Sequence, residues 1–262
     1  MAVTKLLSPR RAPSPRWLIV TIIVTLLGAS CGGGDGSGRE SMLVFAAASL
    51  TDAFTDIAAA FEADHPEVDV DLVYAGSSSL REQIIEGAPA DVYASANISN
   101  MDLAVDAGEV AAEPRIFASN GLQIAVPASN PGNVAALDDL ADPDLLIGLC
   151  VATAPCGASA REVLARAGVA ASVDTEEPDV RALLTKIGEG ELDAGLVYLT
   201  DVIAGGDRVK GIEVPRSDQA DSLYSIAITS RSPNRRTAAA FIEFVLSATG
   251  RDILTGYGFG VP

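Results

Sequence analysis

At 262 residues the chain is long enough for one large domain or two small ones, each with a real core. Its formal charge of −17 excludes nucleic-acid binding through the overall field. The same charge repels a distant anion, so any anion site has to work through local donors. The first residues stand apart from the rest. Lys5, Arg10, Arg11 and Arg16 form a basic leader, and Trp17 to Ala29 is a short apolar run ending just before Cys31. The run is too short for a comfortable transmembrane helix and suits the core of a signal peptide covering residues 1–30.

Leu27-Gly28-Ala29-Ser30-Cys31 resembles a bacterial lipobox, whose cysteine is lipidated after cleavage, although Gly28 stands where a larger aliphatic residue is usual. The glycine-rich stretch that follows completes a flexible tether over residues 31–40. The expected product is an exported lipoprotein, held at the cell membrane by its lipid alone. Losing the leader removes four of the 18 cations and none of the 35 acids, leaving a formal charge of −21.

From residue 42 onward, β-like runs alternate with helical ones. Residues 42–46 make a compact apolar strand, and Leu50, Ala53, Phe54, Ile57 and Phe61 recur at helical spacing until His65-Pro66 stops them. Val68, Val70, Leu72 and Tyr74 alternate with Asp69, Asp71 and Val73 as a strand with one buried face. A helix over 77–86, a strand over 92–96 and a helix over 100–107 follow. Strands are expected at 122–126, 145–150, 194–198, 209–214 and 223–229, with helices at 158–167, 180–187 and 237–246. This alternation predicts an α/β fold with largely parallel sheets.

Cys150 and Cys156 lie six residues apart, and in an oxidising compartment a disulfide is expected; two buried thiols are the alternative. Two cysteines and the single histidine, His65, are too few and too badly spaced for a zinc site, so no metal cofactor is expected.

Several strand ends run into small polar residues and then a helix: Ser49, Ser77, Pro155-Cys156-Gly157 and Asp179-Val180. A helix start offers free backbone N–H groups and the positive end of a dipole, which suits an anion. Serine and aspartate at such places serve equally well as plain N-caps. Spacing alone does not show that the four starts converge, although ligands of α/β sheets do sit at the carboxyl ends of strands.

Val44-Phe45-Ala46-Ala47-Ala48-Ser49-Leu50-Thr51 resembles the first-strand signature of the periplasmic molybdate-binding proteins. So do Gly76-Ser77-Ser78-Ser79-Leu80 with Gly87-Ala88-Pro89-Ala90-Asp91-Val92, Ala154-Pro155-Cys156-Gly157, Pro178-Asp179-Val180-Arg181 and Gly195-Leu196-Val197-Tyr198, in the family's order. The resemblance implies a two-lobed type II binding-protein fold with the ligand in the interlobe cleft. Lobe one would comprise residues 41–120 and 218–262, lobe two residues 121–217, with a hinge near 120 and 217. It implies molybdate or tungstate held by the hydroxyls of Ser49 and Ser77, the backbone N–H groups of Cys156 and Val180, and the phenol of Tyr198. Cys156 departs from the alanine common in the family, which matters little if only its N–H is used. Arg81, Arg161 and Arg181 follow the motifs and are expected on solvated helix faces.

By the same resemblance the protein would be a monomer that delivers its oxyanion to an ABC permease and its ATPase, with no other cofactor. Rival readings are a binding protein for sulfate, phosphate or a metal chelate, a sensor or adhesion lipoprotein, and a serine hydrolase. The hydrolase lacks a Gly-x-Ser-x-Gly elbow and any histidine besides His65.

Overall fold

The computed structural model describes residues 39–216 and 218–262. The leader, Cys31 and Ser217 lie outside the described residues. Glu40, placed at the end of the expected tether, already belongs to the first strand.

The first half builds β1 (Glu40–Ala47), a 3-10 turn at Ala48–Leu50, α1 (Thr51–Asp64), β2 (Val68–Ala75), α2 (Ser77–Ile85), β3 (Val92–Ser95), α3 (Ile98–Asp106) and β4 (Arg115–Asn120). The chain then enters a second sheet through β5 (Leu122–Pro127), β6 (Ile147–Cys150), α4 (Pro155–Ala167), β7 (Val173–Glu177), α5 (Val180–Gly188), β8 (Ala194–Tyr198), α6 (Leu199–Gly205) and β9 (Val209–Glu213). It returns to the first sheet with β10 (Ser222–Ile228) and closes with α7 (Arg235–Leu246) and α8 (Ala248–Gly256).

The strand orders are β2-β1-β3-β10-β4 and β7-β6-β8-β5-β9, so the two sheets repeat one topology. The sheets are mixed rather than largely parallel. β1 pairs in parallel with β2 and β3, and β6 with β7 and β8. β10 runs antiparallel to β3 and β4, and β5 antiparallel to β8 and β9. The reason lies in the two crossings. A strand reached through a helix returns in parallel, whereas β5 and β10 begin at the cleft straight after a crossing and have to run away from it. Gln219 ties the two crossings together. The Leu122 N–H donates to its Oε1 (3.1 Å), and its Nε2 donates to the Leu122 carbonyl (2.7 Å).

Period-two alternation sorts β1 into two cores. Met42, Val44 and Ala46 face a cluster with Phe54, Phe61, Phe117 and Phe241, while Phe45 packs with Leu80, Ile84 and Tyr93 on the other face. The phenylalanines meet edge to face, as Phe61 and Phe241 do at 5.3 Å. A single cluster around Leu149, Leu183, Leu196 and Val197 fills the second sheet. Four elements were not expected from the sequence: β4, β7, α6 and α8. Among the described residues no helix is long and apolar enough to cross a membrane.

Candidate functional site

The parallel strands of both sheets point their carboxyl ends at one cleft. A small cavity there is lined by Ser49, Ser77, Cys156, Val180 and Tyr198. The structure therefore brings all five sequence-derived candidates to one place. Gly76, Ala96, Pro155 and Asp179 complete the wall with Ala47 and Ala48, and no lysine or arginine is among the lining residues.

Four helix starts converge on this cavity. Helix geometry leaves the first N–H groups of each without an acceptor inside the helix. In α4 the first internal turn closes with the Ala158 N–H donating to the Ala154 carbonyl at 3.0 Å, so Cys156 and Gly157 precede any intrahelical bond. In α5 the Asp179 carboxylate accepts from the N–H groups of Arg181 (2.9 Å) and Ala182 (3.0 Å), which leaves Val180 as the donor ahead of them. Asp179 is thus a plain N-cap. The serines are not. Ser77 Oγ accepts from the Ala96 N–H at 3.0 Å, and Ser49 Oγ shares a hydrogen bond of 2.9 Å with the Tyr224 hydroxyl.

Tyr198 ends β8 with its side chain buried. Burial pushes its phenol far above the ordinary value of 10, so it remains a donor at any working pH. Ser222 Oγ donates to the Tyr198 oxygen at 3.4 Å.

The Cys150–Cys156 disulfide is formed, with Cα atoms 5.8 Å apart. It closes the loop between β6 and α4 directly behind the Cys156 N–H. Gly157 lies beneath this loop. A Cβ there would stand 2.0 Å from the Val151 carbonyl oxygen and 2.5 Å from that of Cys150. Gly157→Ala is expected to destabilise the fold by about 3 kcal/mol or more, because both obstacles are backbone and the disulfide prevents their retreat. A thermal melt beside wild type checks this, and an unchanged midpoint would refute it.

The three arginines stay out of the cavity, as expected, but they are half-buried rather than solvated, and each bonds a partner outside its own helix. Arg81 donates to Asn100 Oδ1 (2.6 Å), and Arg161 donates to the Cys150 carbonyl (2.9 Å) and pairs with Glu176. Arg181 spans the cleft. Its Nη2 donates to Asp52 Oδ2 at 2.7 Å, and its Nε lies 3.0 Å from Asp201 Oδ1. The latter contact is a charge pair whose N–H is poorly aimed at the oxygen. Asp201 is wholly buried, and desolvation pushes its carboxyl up to about 7 against the opposing charge of Arg181.

His65 sits at the end of α1, its ring 4.4 Å from that of Phe61, and takes no part in the cavity. Among the described residues no cluster of histidine, cysteine or acidic side chains is arranged to hold a metal ion.

Two sheets of one topology, with helix starts facing each other across a cleft, define a solute-binding protein. Residues 42–260 match the model of the bacterial extracellular solute-binding protein family, and the chain belongs to that family, which comprises binding proteins and not enzymes. It is 38% identical over 234 residues to the molybdate-binding protein ModA of Mycobacterium tuberculosis, covering 89% of this chain and 90% of that protein. Among solved structures, the periplasmic molybdate-binding protein of Azotobacter vinelandii aligns with a TM-score of 0.75 at 20% identity, covering 84% of this chain and 99% of that one. The sulfate-binding protein SubI of M. tuberculosis aligns equally well, at 0.75 and 18% identity, over 84% of this chain and 86% of that one. These likenesses identify the type II binding-protein fold.

Proposed function

We propose that the protein captures molybdate or tungstate in the interlobe cleft and delivers it to an ABC permease and its ATPase. The observation that carries this reading is the cavity wall. Its polar groups are hydroxyls and helix-start N–H groups set among Ala47, Ala48, Ala96 and Pro155; it includes no lysine or arginine, and its one carboxylate, Asp179, is engaged as the cap of α5. Molybdate is fully deprotonated at neutral pH and offers only acceptors, so a cage of fixed neutral donors suits it without a counter-cation. The 38% identity to ModA of M. tuberculosis supports molybdate among oxyanions of this shape. Ser49 and Ser77 would donate from one lobe, and Cys156, Val180 and Tyr198 from the other. Export and anchoring through Cys31 belong to the same reading.

Isothermal titration against molybdate, tungstate, sulfate and phosphate in parallel tests it. Molybdate and tungstate should bind tightly and raise the melting temperature, with sulfate doing far less. Silence toward both heavy oxyanions would sink the assignment. Sulfate is the second reading, supported by the likeness to SubI. A sulfate affinity equal to that for molybdate would favour it. Removing one donor, by Ser49→Ala or Tyr198→Phe, should cost on the order of 1–3 kcal/mol of binding. Unchanged affinity in both variants would reject the donor set.

A further inference from the structure

We infer that Tyr224 is a positioning residue for the cleft: its hydroxyl, backed by Asn120, donates to Ser49 and thereby turns the single Ser49 proton toward the bound oxyanion. The inference rests on the proposed oxyanion reading. Tyr224 belongs to β10, is wholly buried, and is 175 residues from Ser49 in the chain. It does not line the cavity.

Asn120 Nδ2, which only donates, lies 3.4 Å from the Tyr224 oxygen and 2.9 Å from Thr200 Oγ1. The Tyr224 oxygen is therefore an acceptor on that side, and its own proton needs a partner. The Ser49 oxygen at 2.9 Å supplies one. A serine hydroxyl carries one proton, so a Ser49 that accepts from behind has its O–H left for the cavity it lines. If Ser49 donated to Tyr224 instead, it would present a bare lone pair to an anion.

The other two hydroxyls of the cage follow the same pattern. Ser77 Oγ accepts from the Ala96 N–H, a group that has no other role available to it. Tyr198 accepts from Ser222, which stands 2.8 Å from Ser159 Oγ. Each cage hydroxyl is thus backed by a donor, the Ala96 N–H in the wall for Ser77 and the Tyr224 and Ser222 hydroxyls behind it for Ser49 and Tyr198, and each has its own proton free to face inward. Burial also holds the Tyr224 phenol well above its ordinary value of 10, so its proton stays in place across the working pH range.

Tyr224→Phe removes only the hydroxyl. The ring keeps its edge-to-face contacts with Phe117, Tyr198 and Phe259, at 6.1, 6.0 and 5.4 Å. The test is a double-mutant cycle read by molybdate titration of wild type, Ser49→Ala, Tyr224→Phe and the double variant. Tyr224→Phe should weaken binding about fivefold to tenfold. The two losses should be strongly non-additive, with the double variant binding little more weakly than Ser49→Ala alone, because the Ser49 hydroxyl is the cage group bonded to the Tyr224 oxygen at 2.9 Å. Losses that multiply, or a Tyr224→Phe variant that binds like wild type, would overturn the inference. Asn120→Asp provides a second arm that keeps the side-chain shape. Its carboxylate accepts the Tyr224 proton and should weaken molybdate binding as Tyr224→Phe does; wild-type affinity there would also count against the relay. A wild-type protein that gives no molybdate signal rejects the ligand assignment itself, which separates that failure from a failure of the relay.

Discussion

Replacing Gly76 with alanine should leave the unliganded protein folded and reduce its affinity for molybdate by about tenfold to a hundredfold. Gly76 caps α2 in the first half of the fold, and the Cβ it lacks would stand 2.7 Å from the carbonyl oxygen of Pro178 in the second. The two halves approach this closely because α2 and α5 both aim their starts at the same cavity. An added methyl would hold them apart by several tenths of an ångström. Hydrogen bonds to an anion clamped from both sides lose strength steeply with such displacements. Alanine is a poorer N-cap than glycine by about 1 kcal/mol or less, and the Gly76 backbone (φ −58°, ψ 136°) suits it, so the fold itself should tolerate the change. Titration calorimetry read beside the melting curve of the unliganded variant separates the two effects. Wild-type affinity would mean that the halves need not close this far. A collapse of the unliganded melt would assign Gly76 to folding.

That contact was not legible in the sequence, though much around it was. The alternation of β and helical runs predicts the α/β class because both half-buried strands and amphipathic helices leave a periodic trace. The elements that escaped leave none. β7 reads Val173 to Glu177 with three acids in a row of five, as a solvent-facing edge strand allows. α6 begins directly after β8 with no turn residue between them. α8 is parted from α7 by Ser247 alone, whose hydroxyl caps it by accepting from the Gly250 N–H at 3.3 Å.

The five candidate site residues were legible for a different reason: each lies inside a short segment whose order matches a family. Their supports were not. Ser49 and Tyr224 are 175 residues apart, Asn120 and Tyr224 104, and Asp52 and Arg181 129. Local spacing carries no information about such pairs. An arginine that reads as a solvated helix residue is therefore found joining the two lobes, and a tyrosine in an ordinary strand stands behind a cage serine. The mixed sheets have the same origin. Strand direction depends on where the chain crosses between lobes, and a periodic pattern is blind to that.

Arg181→Met should destabilise the protein by an amount that grows with pH, reaching on the order of 3–5 kcal/mol in alkali. Asp201 is wholly buried, with its carboxyl pushed up to about 7 from the ordinary 3.8. Between about pH 4 and pH 7 the native state therefore holds a proton that the unfolded chain has released, and stability falls as pH rises through that window. The charged and titratable neighbours are Asp52 from α1, Asp179 at the start of α5, Arg181 within it, Tyr198 from β8 and Tyr224 from β10. Arg181 is the cation in this group. Without it the Asp201 pKa rises further, since Asp52 and Asp179 both disfavour a second charge. Below about pH 6 Asp201 is protonated in both proteins, and the variant loses little more than its half-exposed link to Asp52, worth roughly 1 kcal/mol or less. Above pH 7 wild-type Asp201 ionises while that of the variant does not, and the stability gap should widen by about 1.4 kcal/mol per pH unit until it does. Melting curves at pH 6 and pH 9 measure this. A gap of equal size at both values would show that Arg181 does not serve Asp201. In an Asp201→Asn background Arg181→Met should cost the same at both pH values, because the group that titrates is then gone from both proteins.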